Sequence, residues 1–173
     1  MQIITIYESD AKARTDEFYV SSFIKYHYRS SLRYVQLTPL FLGGIGNYKA
    51  KEVLTLIERA KNTYALLGGE TYVVYFFDVD QVNSAAEKRR KRLISYLNKR
   101  GYLQAWFSLD VEDVFLGRQV KDEEKVKEAR RFLANGLVSC LPLEALRVAN
   151  PRGHHESDLL LVLDPLLKDY RED

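Results

Sequence analysis

The sequence predicts an α/β domain of three layers, with a mainly parallel central sheet flanked by helices. Apolar runs rich in aromatic and β-branched residues alternate with stretches of helical period, in the order strand, helix, strand, helix, strand, helix, strand. The run Tyr72-Val73-Val74-Tyr75-Phe76-Phe77 is continuously apolar, as strands covered on both faces are. The chain has 173 residues, enough for one domain with a real core and short of two ordinary ones.

The elements follow in order. Gln2 to Tyr7 reads as a buried first strand, and Ser9 to Arg14 as a polar loop. Thr15 is expected to cap a helix that runs to about Arg29, with Asp16 and Glu17 in its first turn, where acids suit the helix dipole. Arg33 to Phe41 reads as a second strand, and Pro39 predicts that it is irregular or lies at an edge. The glycine turn Gly43 to Asn47 precedes a second helix, from about Lys49 to Leu66, which Gly68-Gly69 ends. After the third strand, the Ser84 and Glu87 spacing suggests a capping box at the start of a third helix reaching Arg100. Tyr102 to Phe107 reads as a fourth strand, Asp110 to Leu116 as a short helix, and Asp122 to Asn135 as a charged helix. Pro142 to Val148 reads as helical, and Leu159 to Leu163 suits either a strand or the middle of a helix.

Composition excludes several classes. No run of about 18 apolar residues predicts a membrane span, and the amino terminus lacks a secretory pattern. Cys140 is the only cysteine, which excludes an intrachain disulfide and a cysteine zinc cluster and fits a reducing, cytoplasmic setting. Its apolar neighbours suggest a packing role. The net charge of +2 says little about nucleic acid, but the run Lys88-Arg89-Arg90-Lys91-Arg92 is contiguous.

Chemistry concentrates at strand ends, where ligand sites of open α/β sheets lie. Asp78-Val79-Asp80 closes the third strand. A strand has a side-chain period of two, so Asp78 and Asp80 project to one side. Two such carboxylates repel each other, and a hard cation, Mg2+ or Mn2+, would stabilise both; loop or helix-cap acids are the alternative reading. Glu8 closes the first strand. Neighbouring strands lie about 4.8 Å apart, so Glu8 reaches the pair only if the first and third strands are adjacent.

These strand-end acids, in this order and with α/β alternation between them, resemble the Toprim domain over about residues 2 to 117. The RloB-like proteins and the nuclease half of the OLD family are the most similar. Thr15-Asp16 resembles the Thr-acid pair that opens the first helix there, and Gly44-Ile45-Gly46-Asn47 resembles the Gly-x-Gly-Asn element. Phe107-Ser108 followed by Glu112 resembles the later serine and glutamate. Ser9 stands where the family usually has glycine, and Leu109-Asp110-Val111 replaces an Asn-Pro-aromatic cluster.

The resemblance implies a Toprim-like (Rossmann-like) core over residues 1–117 and a mainly helical extension over 118–173 packed on the same domain. It implies a divalent-metal-dependent nuclease acting on DNA or RNA phosphodiesters, in phage defence or DNA repair. Asp78 and Asp80 would hold Mg2+ or Mn2+. Glu8 would serve as a ligand or general acid/base, and Glu112 as a second metal's ligand or merely a surface acid. Asp16 would stand behind the ligands, or simply suit the helix start. Gly44, Gly46 and Asn47 would meet a phosphate, or form an ordinary turn.

The basic run sweeps about 500° of a helix, so only Lys88 and Arg92, with Lys99, share a side for phosphates; a solvated helix face is the plainer reading. His154-His155-Glu156 reads as a polar loop rather than a metal site.

Two rival functions remain open. A degenerate site would leave a non-catalytic partner of an ATPase. The chain itself carries no P-loop, so an ATPase partner would be a separate protein. Phe77-Asp78-Val79-Asp80 also resembles the opening of haloacid-dehalogenase phosphohydrolases, without their later acidic motif. A membrane partner is not expected, and homo-oligomerisation is left open.

Overall fold

A computed structural model of the chain describes residues 1–29, 33–79 and 84–167. Four strands form one sheet: β1 (Gln2–Tyr7), β2 (Gln36–Phe41), β3 (Thr71–Val79) and β4 (Leu103–Ser108). Their order is β2-β1-β3-β4, and every pairing is parallel. The helices are α1 (Thr15–His27), α2 (Lys51–Ala65), α3 (Ser84–Lys99), α4 (Val111–Leu116), α5 (Asp122–Ala134) and α6 (Leu159–Leu167). This is the expected three-layer α/β architecture.

Burial explains the strand order. All of β1 is buried, which suits a strand with neighbours on both sides, whereas β2 is only partly covered. Pro39 lies on β2 opposite Thr5, so the residue without an N–H is on an edge strand, where no ladder bond is lost. Alternation along the strands then supplies two cores. Ile3, Tyr7, Val74, Phe76 and Phe107 pack with residues of α1, α4, α5 and α6. Ile4, Ile6, Tyr75, Phe77 and Trp106 pack with residues of α2 and α3. Residues beyond 117 thus complete the first of these cores: Phe132, Leu159 and Leu163 are fully buried in it.

The free edge of β4 is covered by the chain leading into α6. Ser157 forms an antiparallel bridge with Phe107. The Ser157 hydroxyl donates to the Trp106 carbonyl at 2.8 Å, and the Trp106 N–H donates to Asp158 Oδ1 at 2.6 Å. An exposed strand edge is a template for unwanted pairing, and this strap removes it.

Several local expectations are corrected. Thr15 is the first residue of α1, and the capping position belongs to Arg14 in the left-handed region, φ 52°. Arg14 is held there by a paired contact with Glu17, at 2.5 and 2.8 Å. The segment Leu143–Arg147 is 3-10 rather than α-helical, and the apolar stretch from Leu159 is helix. Cys140 is exposed rather than packed. Among the described residues no helix is long and apolar enough to cross a membrane.

Phe76 is stacked on Tyr7 at 5.2 Å and on Phe107 at 6.4 Å between ring centroids, joining three adjacent strands. Phe76→Ala should lower stability by about 3–5 kcal/mol in urea unfolding, the range for an aromatic removed from a packed core. A change within about 0.5 kcal/mol, typical of a surface position, would show that this stack does not organise the sheet.

Candidate functional site

The site is built where β1 and β3 end together. They pair in parallel with Tyr7 opposite Phe76, so Glu8 and Asp78 emerge at the same edge. Glu8 Oε2 accepts the backbone N–H of Asp78 at 3.4 Å. The adjacency that the metal reading demands is therefore met. Asp80 lies outside the described residues.

Helix α1 brings Asp16 to this edge. Its Oδ2 accepts the Ser9 N–H at 3.0 Å and its Oδ1 accepts the Thr15 hydroxyl at 3.1 Å. Asp16, in the first turn of the helix, thus also fixes the loop that follows Glu8. On the other side, the chain turns sharply after β4 through Leu109, whose φ is 58°. Asp110 then caps α4 by accepting the Asp113 N–H at 2.7 Å. That turn delivers Glu112, a buried acid only 1% exposed. Lys125 of α5 reaches in from beyond residue 117: its Nζ lies 3.3 Å from Glu112 Oε2 and 3.7 Å from Asp110 Oδ2.

Electrostatics reflect the crowding. The Asp78 carboxyl is held well above the usual carboxylate range, first by burial and then by the negative charges of Asp16, Glu8, Glu112 and Asp110. Burial pushes Glu112 up to about 7, with Lys125 opposing and Asp110 adding to the rise. Burial pulls the Lys125 ammonium down, but Glu112, Asp110 and Asp78 outweigh it and hold the group above its ordinary value. The Tyr19 hydroxyl is raised by burial and then by Glu112.

Both carboxylate oxygens of Glu112, the Tyr19 hydroxyl and the Ser9 hydroxyl are buried without a well-aligned hydrogen-bond partner among the described residues. Buried polar atoms are usually satisfied, so this concentration marks a place suited to a further polar ligand. The donors are carboxylate oxygens, which suit Mg2+ or Mn2+. Among the described residues, no three acidic, histidine or cysteine side chains form a ready-made coordination group.

The other expected site residues divide. Gly44 has φ 116°, which a side chain would strain, and its N–H donates to the Glu8 carbonyl at 2.9 Å. The Asn47 side-chain amide donates to the Leu42 carbonyl at 2.9 Å. Both therefore brace the turn against the Glu8 strand end, instead of presenting those donors to a phosphate. Gly46 and Arg92 line a pocket that also touches Asp78, while Lys88 is exposed and does not line it. The His154-His155-Glu156 segment braces the end of β4: the His155 N–H donates to Asp113 Oδ2 at 2.7 Å, and the Glu156 N–H donates to Ser108 Oγ at 2.8 Å.

No family model, curated protein or solved structure matches the chain. Its class is defined by its own geometry: a three-layer α/β protein with strand-end acids and one inserted lysine at the carboxyl edge of a parallel sheet. Sequence reasoning missed Lys125 and Asp110. Lys125 is one lysine in a charged helix, and no spacing signal distinguishes it; Asp110 was legible only as a helix start.

Glu112 carries a pH signature in the metal-free protein. A carboxyl whose folded value is raised contributes stability below its unfolded value and loses it as pH rises through the folded value. For Glu112 that window runs from 4.5 to about 7. In EDTA, the melting temperature of Glu112→Gln relative to wild type should therefore increase across this window. A difference that stays constant with pH would remove the assignment.

Proposed function

We propose that the chain is a divalent-metal-dependent phosphodiester hydrolase of the Toprim type, similar to RloB-like and OLD-nuclease proteins, acting on DNA or RNA. The observation that carries this reading is the contact of Glu8 Oε2 with the Asp78 N–H at the shared end of β1 and β3. It brings acids from two strands to one point at the edge where α/β sheets bind ligands.

Glu8, Asp78 and Asp80 are the residues that would hold Mg2+ or Mn2+, with Glu112 serving a second ion. Such an ion, when bound, neutralises charge developing on phosphoryl oxygens. The protein's own groups do the rest. Glu8 serves either as a ligand to that ion or, oriented by the Asp78 N–H, as a general acid/base toward an attacking water. Asp16 keeps the Ser9 loop against the site. Lys125 supplies the positive charge that lets Glu112 and Asp110 share a buried corner. The biological setting implied is phage defence or DNA repair, alongside a separate ATPase.

A second reading is a non-catalytic partner of such an ATPase. It is favoured by Ser9, which stands where the family usually has glycine. Incubation with plasmid, single-stranded DNA and RNA, with Mg2+, Mn2+ or EDTA, separates the two. Cutting should require the metal and fall by about 10²–10⁴-fold in Glu8→Gln, with a comparable loss in Asp78→Asn. Cutting that persists in EDTA or in Asp78→Asn would overturn the mechanism. No cutting together with no Mn2+ binding by calorimetry would favour the interaction module.

A further inference from the structure

On the opposite face of the β3 end from the acid cluster lies a pocket of about 290 Å³. That is close to the lower end of the range for small-molecule sites, about 300–1,000 Å³. Its floor is apolar and aromatic: Trp106 from β4, Tyr48 from the turn before α2, and Val79 and Leu93. Its charged lining is mainly basic, with Lys49 and with Arg89, Arg90 and Arg92 of α3, and includes Glu87, which is paired with Arg152 at 3.1 Å. Asp78 lines it too, so the pocket opens directly beside the strand-end acids.

The aromatic and basic groups are already arranged for stacking. The Arg90 guanidinium lies over the Trp106 ring, 4.3 Å from its centroid. Trp106 is fixed beneath it because its N–H is bound by Asp158 and its carbonyl by Ser157. Tyr48 is held on the far wall, edge-on to Tyr96 at 5.2 Å, while its carbonyl accepts the Tyr75 hydroxyl at 3.1 Å. A planar guanidinium backed by an indole offers a second flat face, a surface on which nucleobases stack. Cations around an apolar slot match a ligand with a flat uncharged part and a phosphate.

We infer that this pocket takes an unpaired nucleobase, stacked on the Arg90–Trp106 pair, with its phosphate met by the basic residues of the pocket, beside the Glu8–Asp78 edge. The inference rests on the phosphodiester reading above and narrows it. The substrate strand would present an unstacked base, so single strands, loops or ends are favoured over continuous duplex. A free nucleotide has the same chemistry and is the other source of such a ligand.

Trp106 is the only tryptophan in the chain, so its fluorescence reports on the pocket directly. The test titrates the full chain, in EDTA, with a single-stranded oligonucleotide, a duplex of the same sequence and a nucleoside monophosphate. Saturable change in Trp106 fluorescence is expected with the single strand or the mononucleotide, and weaker binding with the duplex. The two unpaired probes distinguish a strand from a free nucleotide. Arg90→Lys keeps the charge but loses the planar face. It should weaken binding of the responding probe about tenfold, within the range for one lost base stack, and circular dichroism checks that the variant is folded.

Absence of a saturable response to either unpaired probe would overturn the inference. So would wild-type affinity in Arg90→Lys, or tighter binding of duplex than of single strand. Metal-dependent cutting that survives with none of the expected stacking would leave the hydrolase reading standing and remove this one. Stacking without any cutting would do the reverse.

Discussion

The parallel pairing of β1 with β3 imposes the constraint on which the rest of the molecule turns. Both strands must end at the same edge, and one is followed by Glu8 while the other carries Asp78 near its last residue. Two unit charges 4 Å apart repel by about 4 kcal/mol at the effective dielectric of a protein surface. Asp16, Asp110 and Glu112 add to that repulsion at Asp78, and Lys125 is the cation ion-paired within the group, to Glu112 and Asp110. Among the described residues, the carboxylates around Asp78 outnumber this ammonium. Burial first, and at Asp78 then this excess of negative charge, raises the proton affinity of Asp78 and Glu112 and moves the carboxyls toward their neutral form, with Lys125 opposing the rise at Glu112. A fold that gains nothing from this arrangement would be more stable with the acids dispersed; a bound cation of the kind proposed above would relieve the repulsion, whereas a phosphate without one would add to it.

The two faces of the sheet present different chemical groups at this edge. Residues of α1, α4 and α5 bring acids and a lysine to one side, whereas α3 and the turn before α2 bring arginines and aromatic rings to the other. Asp78 stands between them. The strap from Ser157 to Asp158 connects the two functions: it seals the β4 edge and holds the Trp106 backbone with a buried acid. Desolvation raises Asp158 to about 6, against the lowering effect of that same Trp106 N–H. The N–H it accepts is one that the sheet itself leaves unpaired, so the acid is retained despite burial.

Much of this was legible in the sequence because it is local or periodic. The apolar runs located the strands, and the strand-end position of Glu8 and Asp78 followed from a two-residue period and the rule for ligand sites in such sheets. Pro39 correctly marked an edge. The missed features depend on contacts between distant residues. Lys125 meets Glu112 only because α5 packs against α1 and α4, and no pattern within α5 announces it. Arg14 takes the capping position because its guanidinium finds Glu17, a pairing that competes with the better intrinsic cap, Thr15. Gly44 and Asn47 matched a phosphate-binding pattern, yet their donors close the turn on Glu8 and Leu42.

The basic run shows how helix phase sorts identical charges into different roles. Successive residues on a helix are about 100° apart, so the five consecutive cations of α3 cannot all share one ligand face. Arg90 turns inward onto Trp106, and Arg89 and Arg92 join it at the pocket rim. Lys91 lies with Ile94 and Lys99 along a separate shallow depression, and Lys88 is exposed. A helix used as a uniform electrostatic track would keep its cations in water, where each contributes to phosphate attraction in the same way. Partial burial of one arginine against an indole sacrifices hydration for a fixed planar orientation. That exchange favours recognition of a flat ligand over general attraction to a polyanion, and it places the recognising face next to Asp78, beside the carboxylates that would act on its phosphate.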